Sequence, residues 1–245
     1  REELFKILRE TKDWFKKQLN STLGNSAYNY LKNERKLSKN IIEDFELGFA
    51  PDSWTGLYEY LLKVKGFSYE AILNAGLIIS KDNKNKVFDR FRNRLMVPIY
   101  DSQSRVVAFT GRTLDGSNPK YLNSPETDVF EKGKILYGFD KASSNIRKKD
   151  LAIVVEGNFD VISLHAKGIN NCVAAQGSSL SKYQISQLCR CTDNKNIVIN
   201  FDSDNAGISA TKRIISEVES LSLNHQINLK ILQLRGFKDP DEFLN

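Results

Sequence analysis

Residues 151–157 read LAIVVEG and residues 196–204 read NIVINFDSD, two apolar segments that each end in carboxylates. Runs of branched apolar residues of this length are typical of strands buried on both faces of a sheet. CVAAQG (172–177) and LKILQL (229–234) have the same character, and helical patterns at 159–167, 182–190 and 206–221 separate the four strands. Such alternation predicts an α/β domain with a parallel sheet and right-handed crossovers.

Carboxylates follow several of these strands. Glu156 ends the first, Asp202 and Asp204 end the third, and the string KDPDE after the fourth contains Asp239 and Asp241. Ligands bind at the carboxyl ends of parallel strands, so these side chains are expected at one edge. Crowded carboxylates repel one another unless cations lie between them, and oxygen ligands favour Mg²⁺ or Mn²⁺. The pattern predicts a site that binds metal ions and handles phosphates.

Each motif taken singly also has a structural interpretation. Glu156-Gly157 suits a turn, and the DSD string before a helix suits an N-cap. Asp160 fits equally well as a further metal ligand and as a first-turn carboxylate that answers the helix dipole, and both interpretations stay open. The combination at successive strand ends favours the metal site.

Composition narrows the class of protein. The 36 Lys and Arg residues exceed the 30 Asp and Glu residues, for a net charge of +6, which suits a polyanionic partner and also an ordinary solvated surface. The few cysteines and histidines lack zinc-site spacing, so no zinc is expected. No apolar stretch approaches a membrane span, so no membrane partner is expected. Since the chain starts at Arg1 and its only methionine is Met96, we expect a piece of a longer protein.

The first half has a different pattern. Helices are predicted at 1–19, 27–33, 58–65 and 69–74, followed by a β-hairpin made of RLMVPIYD (94–101) and RVVAFTGRTL (105–114). We therefore predict a mixed α+β lobe over 1–145, a second domain over 150–245, and no internal repeat. On a strand, Arg90, Arg92 and Arg94 would share one face, which favours a dedicated basic patch.

The ordered set VVEG, FDSDNAG and KDPDE resembles the TOPRIM domain shared by DnaG-type primases and topoisomerases. RFRNRLMVPIYD, GRTLDGSNPKYLNSPET, FEKGKILYGFDKA and LGFAPDSW are similar to the bacterial primase core specifically, so the resemblance covers nearly the whole chain. It implies a TOPRIM-like parallel sheet flanked by helices. Ser203 and Asn158 depart from the usual family residues, but neither change removes a predicted ligand.

The resemblance also implies roles for particular residues. Glu156, Asp202 and Asp204 would be catalytic and would bind metal together with Asp160, Asp239 and Asp241. Phosphates of template, primer or incoming nucleotide would be bound by Arg90, Arg92, Arg94, Arg112, Lys120 and Lys132. The alternative interpretation of these basic residues is that they lie on an ordinary solvent-exposed face.

By the same resemblance, the expected activity is RNA primer synthesis on single-stranded DNA by nucleotidyl transfer from ribonucleoside triphosphates, with two or more Mg²⁺ or Mn²⁺ ions. Further expectations are a replicative helicase as partner through a domain absent here, and a location in the bacterial cytoplasm at the nucleoid. Two alternatives stay open. One is another TOPRIM enzyme, such as a topoisomerase or nuclease, and the other is a non-catalytic single-strand-binding module.

Overall fold

The structure is a computed structural model. It describes residues 1–81, 86–176, 179–202, 205–222, 227–234, 237 and 240–244, without the side chains of residues 206, 221, 222 and 241. These residues form two compact units. The N-terminal unit comprises residues 1–99 and 105–131, and the C-terminal unit comprises residues 100–104 and 132–245. Each unit is described by itself below.

The N-terminal unit combines short helices with a small sheet. The helix predicted at 1–19 is present, and its apolar side is buried through Leu4, Ile7, Leu8 and Phe15. The predicted β-hairpin is present as β4 and β5, the central strands of a sheet with the order β1-β4-β5-β6. In chain order the elements are α1 (Glu2–Leu19), a 3₁₀ turn (Thr22–Gly24), α2 (Asn25–Asn29), a π-helical turn (Tyr30–Glu34), α3 (Lys39–Asp44), β1 (Gly48–Ala50), α4 (Gly56–Glu59), a second π-helical turn (Tyr60–Val64), α5 (Tyr69–Asn74), β2 (Ile78–Lys81), β3 (Lys86–Asp89), β4 (Arg94–Tyr100), β5 (Val106–Thr113) and β6 (Tyr121–Asn123).

The N-terminal unit contains a structural repeat with an offset of 30 residues. In each copy a short α-helix continues into a π-helical turn, a serine caps a six-residue helix, and a strand follows. The prediction of no internal repeat was wrong. The helices, turns and caps recur in the two copies, but most of their side chains differ, which hides the repeat in the sequence. The matching positions include Tyr30 and Tyr60, Leu31 and Leu61, Ser38 and Ser68, Ile42 and Ile72, and Leu47 and Leu77.

The backbone of the two copies agrees in detail. Arg35 N donates to Tyr30 O and Lys65 N donates to Tyr60 O, both at 3.1 Å. Left-handed residues close the two turns of each copy, and they are Lys36 and Glu46 in the first copy and Gly66 and Gly76 in the second. Gly76 thus has the left-handed conformation that is typical of the residue after a helix C-terminus.

The C-terminal unit is the predicted α/β domain. Strands β8, β9, β10 and β11 are parallel to their neighbours in a sheet of order β11-β10-β8-β9-β7, with β7 antiparallel at one edge. Its elements are a 3₁₀ turn (Lys132–Lys134), β7 (Leu136–Tyr137), α6 (Phe139–Lys149), β8 (Ala152–Val155), α7 (Asn158–Ala166), β9 (Cys172–Ala175), α8 (Lys182–Cys189), β10 (Asn196–Asn200), α9 (Asn205–Ser222), β11 (Asn228–Ile231) and α10 (Pro240–Leu244).

Residues 132–145, which the sequence analysis placed in the N-terminal lobe, belong to the C-terminal unit. The physical reason is pairing and burial. Leu136 pairs with Ala175 of β9, and Phe139, Ala142 and Ile146 of α6 join the apolar core of the parallel sheet. Burial of these apolar side chains stabilises the C-terminal core, and the short strand β7 is hard to recognise from sequence. Among the described helices, none is long and apolar enough to cross a membrane.

Two glycines of the second repeat copy differ in what surrounds them, and this difference predicts their tolerance of alanine. A Cβ on Gly76 would lie 2.7 Å from Pro125 Cγ, whereas a Cβ on Gly66 would meet nothing within 4 Å. Both residues are left-handed, with a φ of 71° at Gly76 and 73° at Gly66. Gly66→Ala is expected to cost about 1 kcal/mol of unfolding free energy for the left-handed backbone. Gly76→Ala is expected to cost about 2–4 kcal/mol, because overpacking adds to that strain.

Urea denaturation of the two variants measures the difference. Equal losses of unfolding free energy at the two positions would contradict the packing explanation.

Candidate functional site

The parallel register of β8 and β10 brings two predicted ligands together. Val155 and Asn200 are register partners at the ends of these strands; Glu156 follows Val155 directly, and Asp202 lies two residues after Asn200. The backbone N–H of Asp202 donates to Glu156 Oε2 at 3.2 Å, and both residues are half-buried. The sequence analysis expected carboxylates at this edge, and the structure brings these two side by side.

Gly207 allows α9 to start close to Asp202. A Cβ at this position would lie 2.1 Å from Asp202 O, a distance that no side chain tolerates. The first turn of α9 therefore lies directly beside the strand end that carries Asp202. Within the FDSDNAG string, this glycine is required by the close approach of the helix to the strand end.

Asp160 lies in the first turn of α7, next to the same edge. Its Oδ2 accepts a hydrogen bond from Gly157 N at 2.9 Å, and the residue is buried. A Cβ on Gly157 would come within 2.9 Å of Asp160 Oδ2, so glycine leaves room for this carboxylate. Burial raises the pKa of the neighbouring Cys172 thiol, and the charge of Asp160 adds to the effect. The helix-capping role of Asp160 is thus visible, and its role as a ligand stays a prediction.

The other predicted ligands are less completely described. Asp204 and Asp239 lie outside the described residues, and only the backbone of Asp241 is described, in α10, which packs against α7. Among the described side chains, no three His, Cys, Asp or Glu groups come together as a metal-binding cluster. Glu156, Asp160 and Asp202 nevertheless supply only oxygen atoms at one sheet edge, the ligand chemistry that a hard divalent cation takes.

The strand on which Arg90, Arg92 and Arg94 were predicted to share a face is interrupted. β3 ends at Asp89, residues 90–93 form a bend, and only Arg94 belongs to β4. Asn93 has a φ of 48°, which breaks the extended backbone between the strands. The shared-face argument was therefore wrong, and the three side chains have different surroundings.

Arg94 is buried, with 7% of its surface exposed. Its Nη1 donates to Pro119 O at 2.9 Å and to Gly111 O at 3.3 Å. Gly111 lies in β5, and Pro119 lies in the loop between β5 and β6, which also contains Asp115. Hydrogen bonds from Thr113 and Ser117 hold the pKa of the Asp115 carboxyl below its usual range. Arg94 therefore supports the loop that leads to Lys120, and burial lowers the pKa of its guanidinium.

The remaining basic residues of the N-terminal unit lie nearer the solvent. Arg90 donates from Nε to Asn123 O at 3.3 Å, and burial lowers its pKa. Arg112 pairs in register with Tyr121 across β5 and β6, and the exposed Lys120 is next to Tyr121. Lys132 belongs to the C-terminal unit, where its carbonyl accepts a hydrogen bond from Gln184 Nε2 at 3.1 Å.

Arg92 is part of an aromatic–cation cluster, formed by Trp54, Phe88 and Arg92, that the sequence analysis missed. The Arg92 guanidinium carbon lies 4.3 Å from the ring centroid of Trp54 and 5.3 Å from that of Phe88. Trp54 is 64% exposed. An exposed aromatic face beside a guanidinium suits a nucleobase stacked next to its phosphate. The available signal was a tryptophan in the quoted LGFAPDSW string, but sequence does not show exposure.

Asp89 anchors this cluster to the helices. Its carboxylate accepts hydrogen bonds from Leu57 N at 2.8 Å and Tyr58 N at 2.9 Å, at the start of α4. Arg92 Nη1 donates to the Asp89 carbonyl. Burial raises the pKa of the Asp89 carboxyl to about 6, although the two N–H donors act in the opposite direction.

Two family models match the chain. The model of the N-terminal domain of the DNA primase catalytic core matches residues 14–143, and a Toprim-like model matches residues 153–244. Toprim domains of primases generally bind divalent metals, so a divalent metal ion is the cofactor class that this match supports.

Curated relatives and solved structures agree with these models. DNA primases of Synechococcus elongatus and Synechocystis are 47% and 46% identical to this chain over 244 and 245 residues, and the chain spans 35% and 39% of their lengths. An E. coli primase catalytic core is 35% identical with a TM-score of 0.87, and the match covers 98% of this chain and 75% of that one. A DnaG primase catalytic domain solved bound to ssDNA is 35% identical with a TM-score of 0.86, covering 98% and 74%.

The close approach at Gly207 generates a prediction. Gly207→Ala is expected to cost more than about 2 kcal/mol of unfolding free energy and to weaken binding of Mn²⁺, because α9 must move away from Asp202. Gly133→Ala is the matched control, since its Cβ would meet only Ser181 Cβ at 3.9 Å, and it should stay within about 0.5 kcal/mol of the parent. Urea unfolding and titration with Mn²⁺ followed by electron paramagnetic resonance measure both effects. Unchanged metal binding in Gly207→Ala would contradict the coupling to Asp202.

The burial of Arg94 generates a second prediction. Arg94→Ala is expected to cost about 2–4 kcal/mol of unfolding free energy, because buried carbonyls lose their donor. Lys120→Ala, at an exposed position of the same loop, should change stability by less than about 0.5 kcal/mol. Chemical denaturation of both variants tests the supporting role. An Arg94→Ala variant as stable as the parent would contradict the role of Arg94 as a support of the loop.

Proposed function

Because this chain belongs to the DNA primase catalytic-core family, we propose that it contains the polymerising centre of a primase. It would synthesise RNA primers on a single-stranded DNA template from ribonucleoside triphosphates. The observation that carries the proposal is the pair of carboxylates at adjacent strand ends, with Asp202 N bonded to Glu156 Oε2. A carboxylate pair of this kind in a Toprim-like domain suits phosphoryl transfer more than simple binding.

The reaction is a nucleotidyl transfer. The 3′-hydroxyl oxygen of the primer forms a bond to the α-phosphorus of the incoming nucleotide, the bond from that phosphorus to the bridging oxygen breaks, and pyrophosphate leaves with the bonding electrons. Divalent metal ions supply charge neutralisation and alignment of the reacting oxygens. We propose that these metal ions are Mg²⁺ or Mn²⁺ and that two or more of them bind.

The carboxylates of this chain have distinct tasks in the proposal. Glu156, Asp202 and Asp204, at the carboxyl-terminal edge of the parallel sheet, would be the catalytic metal ligands. Asp160, Asp239 and Asp241 would complete the set of metal ligands. The Asp202–Glu156 hydrogen bond and the close approach of Gly207 support the positions of the first two strand ends. No protein general base is assigned, because the hydroxyl proton can pass to solvent.

We propose that the basic and aromatic residues of the N-terminal unit bind phosphates and bases. Arg92, Arg112 and Lys120 suit phosphate contacts, Arg as a planar fork and Lys as a point charge. The aromatic–cation cluster adds a stacking surface. Arg90 and Lys132 are further candidates, whereas the buried contacts of Arg94 favour an indirect contribution through the loop.

The wider setting follows from the proposed activity. Its partners are single-stranded DNA, the RNA primer and ribonucleoside triphosphates, with a replicative helicase engaged through another part of the protein. The proposed location is the bacterial cytoplasm, at the nucleoid. The match to the primase-specific model over residues 14–143 argues against a topoisomerase, a nuclease or a non-catalytic binding module.

Primer extension tests the proposal. The chain is given a single-stranded DNA template, a pre-annealed RNA primer, labelled ribonucleotides and either Mg²⁺ or Mn²⁺. Asp202→Asn and Asp204→Asn are each expected to reduce extension by about 100-fold or more, because a ligand loses its charge. Asp193→Asn is the matched control, an exposed residue before the opposite end of β10, and it should extend primers like the parent.

Three further results decide the interpretation. Template-dependent products from the parent that disappear without divalent metal support polymerisation. A parent that binds Mn²⁺ and single-stranded DNA but extends no primer contradicts the proposed activity for this chain. Equal extension by Asp202→Asn and Asp193→Asn would place the chemistry elsewhere.

A further inference from the structure

Tyr30 contacts two arginines from different parts of the N-terminal unit. The Arg112 guanidinium carbon lies 4.5 Å from the centroid of the Tyr30 ring, and that of Arg35 lies 5.6 Å from the same centroid. The Tyr30 hydroxyl accepts a hydrogen bond from Arg35 Nε at 2.6 Å. All three side chains are half-buried. One aromatic ring therefore orients two cations.

The π-helical turn explains why Arg35 reaches this ring. Arg35 N donates to Tyr30 O across five residues, so the two side chains lie beside each other at the end of the turn. Arg112 comes from β5, far along the chain. Two guanidinium groups repel each other, and the negative π face and hydroxyl oxygen of Tyr30 offset part of that repulsion.

The second repeat copy contains the same device in another electrostatic setting. Lys65 Nζ lies 5.7 Å from the centroid of Tyr60, and Lys65 N donates to Tyr60 O at 3.1 Å. In this copy the cation forms an ion pair with Glu10 Oε2 at 2.8 Å. Where the second copy pairs its cation with a carboxylate, the first copy places a second cation on the tyrosine ring.

We propose that Tyr30 is a positioning residue that holds Arg112, with Arg35 beside it, in the orientation that binds a phosphate group. The inference rests on the proposed function, because it assumes that Arg112 contacts phosphate. A guanidinium binds phosphate through a planar fork, so its orientation matters as well as its charge. Stacking on a half-buried ring removes much of the rotamer freedom that binding would otherwise have to restrict.

The phosphate belongs either to the nucleic-acid backbone or to a ribonucleoside triphosphate, and two binding measurements separate these sources. One measures the Kd for a fluorescent oligo(dT), and the other the Kd for a fluorescent ribonucleoside triphosphate with Mg²⁺. Tyr30→Leu is expected to weaken one of the two by about 5-fold, because the ring contact is lost. Tyr30→Phe keeps the ring and should weaken the same ligand by only about 2-fold.

The matched control is Tyr60→Leu, which removes the equivalent ring in the second copy. It should leave both Kd values unchanged, because the Tyr60–Lys65 pair is neutralised by Glu10. Thermal unfolding of each variant separates local misfolding from lost orientation. Equal weakening by Tyr30→Leu and Tyr60→Leu would overturn the proposal, and so would a Tyr30→Phe variant that folds normally but binds as poorly as Tyr30→Leu.

A double-mutant cycle with Arg112→Ala is the decisive arm. If Tyr30 acts through Arg112, Tyr30→Leu adds no further loss in the Arg112→Ala background. Additive losses overturn the positioning role. A normal Kd for both ligands in Arg112→Ala also overturns it, while metal-dependent primer extension lost in Asp202→Asn would still support the proposed function. The two ideas therefore fail separately.

Discussion

The parallel pairing of β8 with β10 is the constraint on which the candidate reactive edge depends. It brings Glu156 and Asp202 to neighbouring strand ends, so two acidic residues belong to one edge of the sheet. The hydrogen bond from Asp202 N to Glu156 Oε2 satisfies one carboxylate oxygen and holds the Glu156 side chain against the neighbouring strand end. Gly207 and Gly157 keep the space around this edge open for backbone and carboxylate. The strand order and the two glycines are thus both needed to place Glu156 and Asp202 at this edge of the sheet.

Much of this edge could be predicted from sequence because its causes are local. Runs such as LAIVV and NIVIN specify buried strands, helices between them require parallel pairing, and parallel pairing places residues 156 and 202 at the same end. The N-terminal helices were predictable for the same reason, since periodic apolar positions mark their extents. The observed sheet and helices confirm these predictions.

Features that depend on tertiary contacts were not predictable. Arg94 looked like its neighbours Arg90 and Arg92, but a left-handed Asn93 breaks the strand, and Arg94 turns into the unit to donate to loop carbonyls. Trp54 gave no sign of its exposure. The repeat with its 30-residue offset keeps its serine caps and a few buried positions, while the backbone hydrogen bonds of its turns accept different side chains, so Lys36 in one copy corresponds to Gly66 in the other.

The repeat also shows how one local structure takes different electrostatic roles. A π-helical turn places residue i+5 beside residue i, which puts a cation against a tyrosine in both copies. The turn determines the contact between the cation and the tyrosine ring. The charged groups around that contact come from other elements of the unit. Glu10 of α1 neutralises Lys65, whereas β5 brings Arg112 to Tyr30. The same backbone turn therefore holds a cation that pairs with Glu10 in one copy and a cation that shares its tyrosine ring with Arg112 in the other.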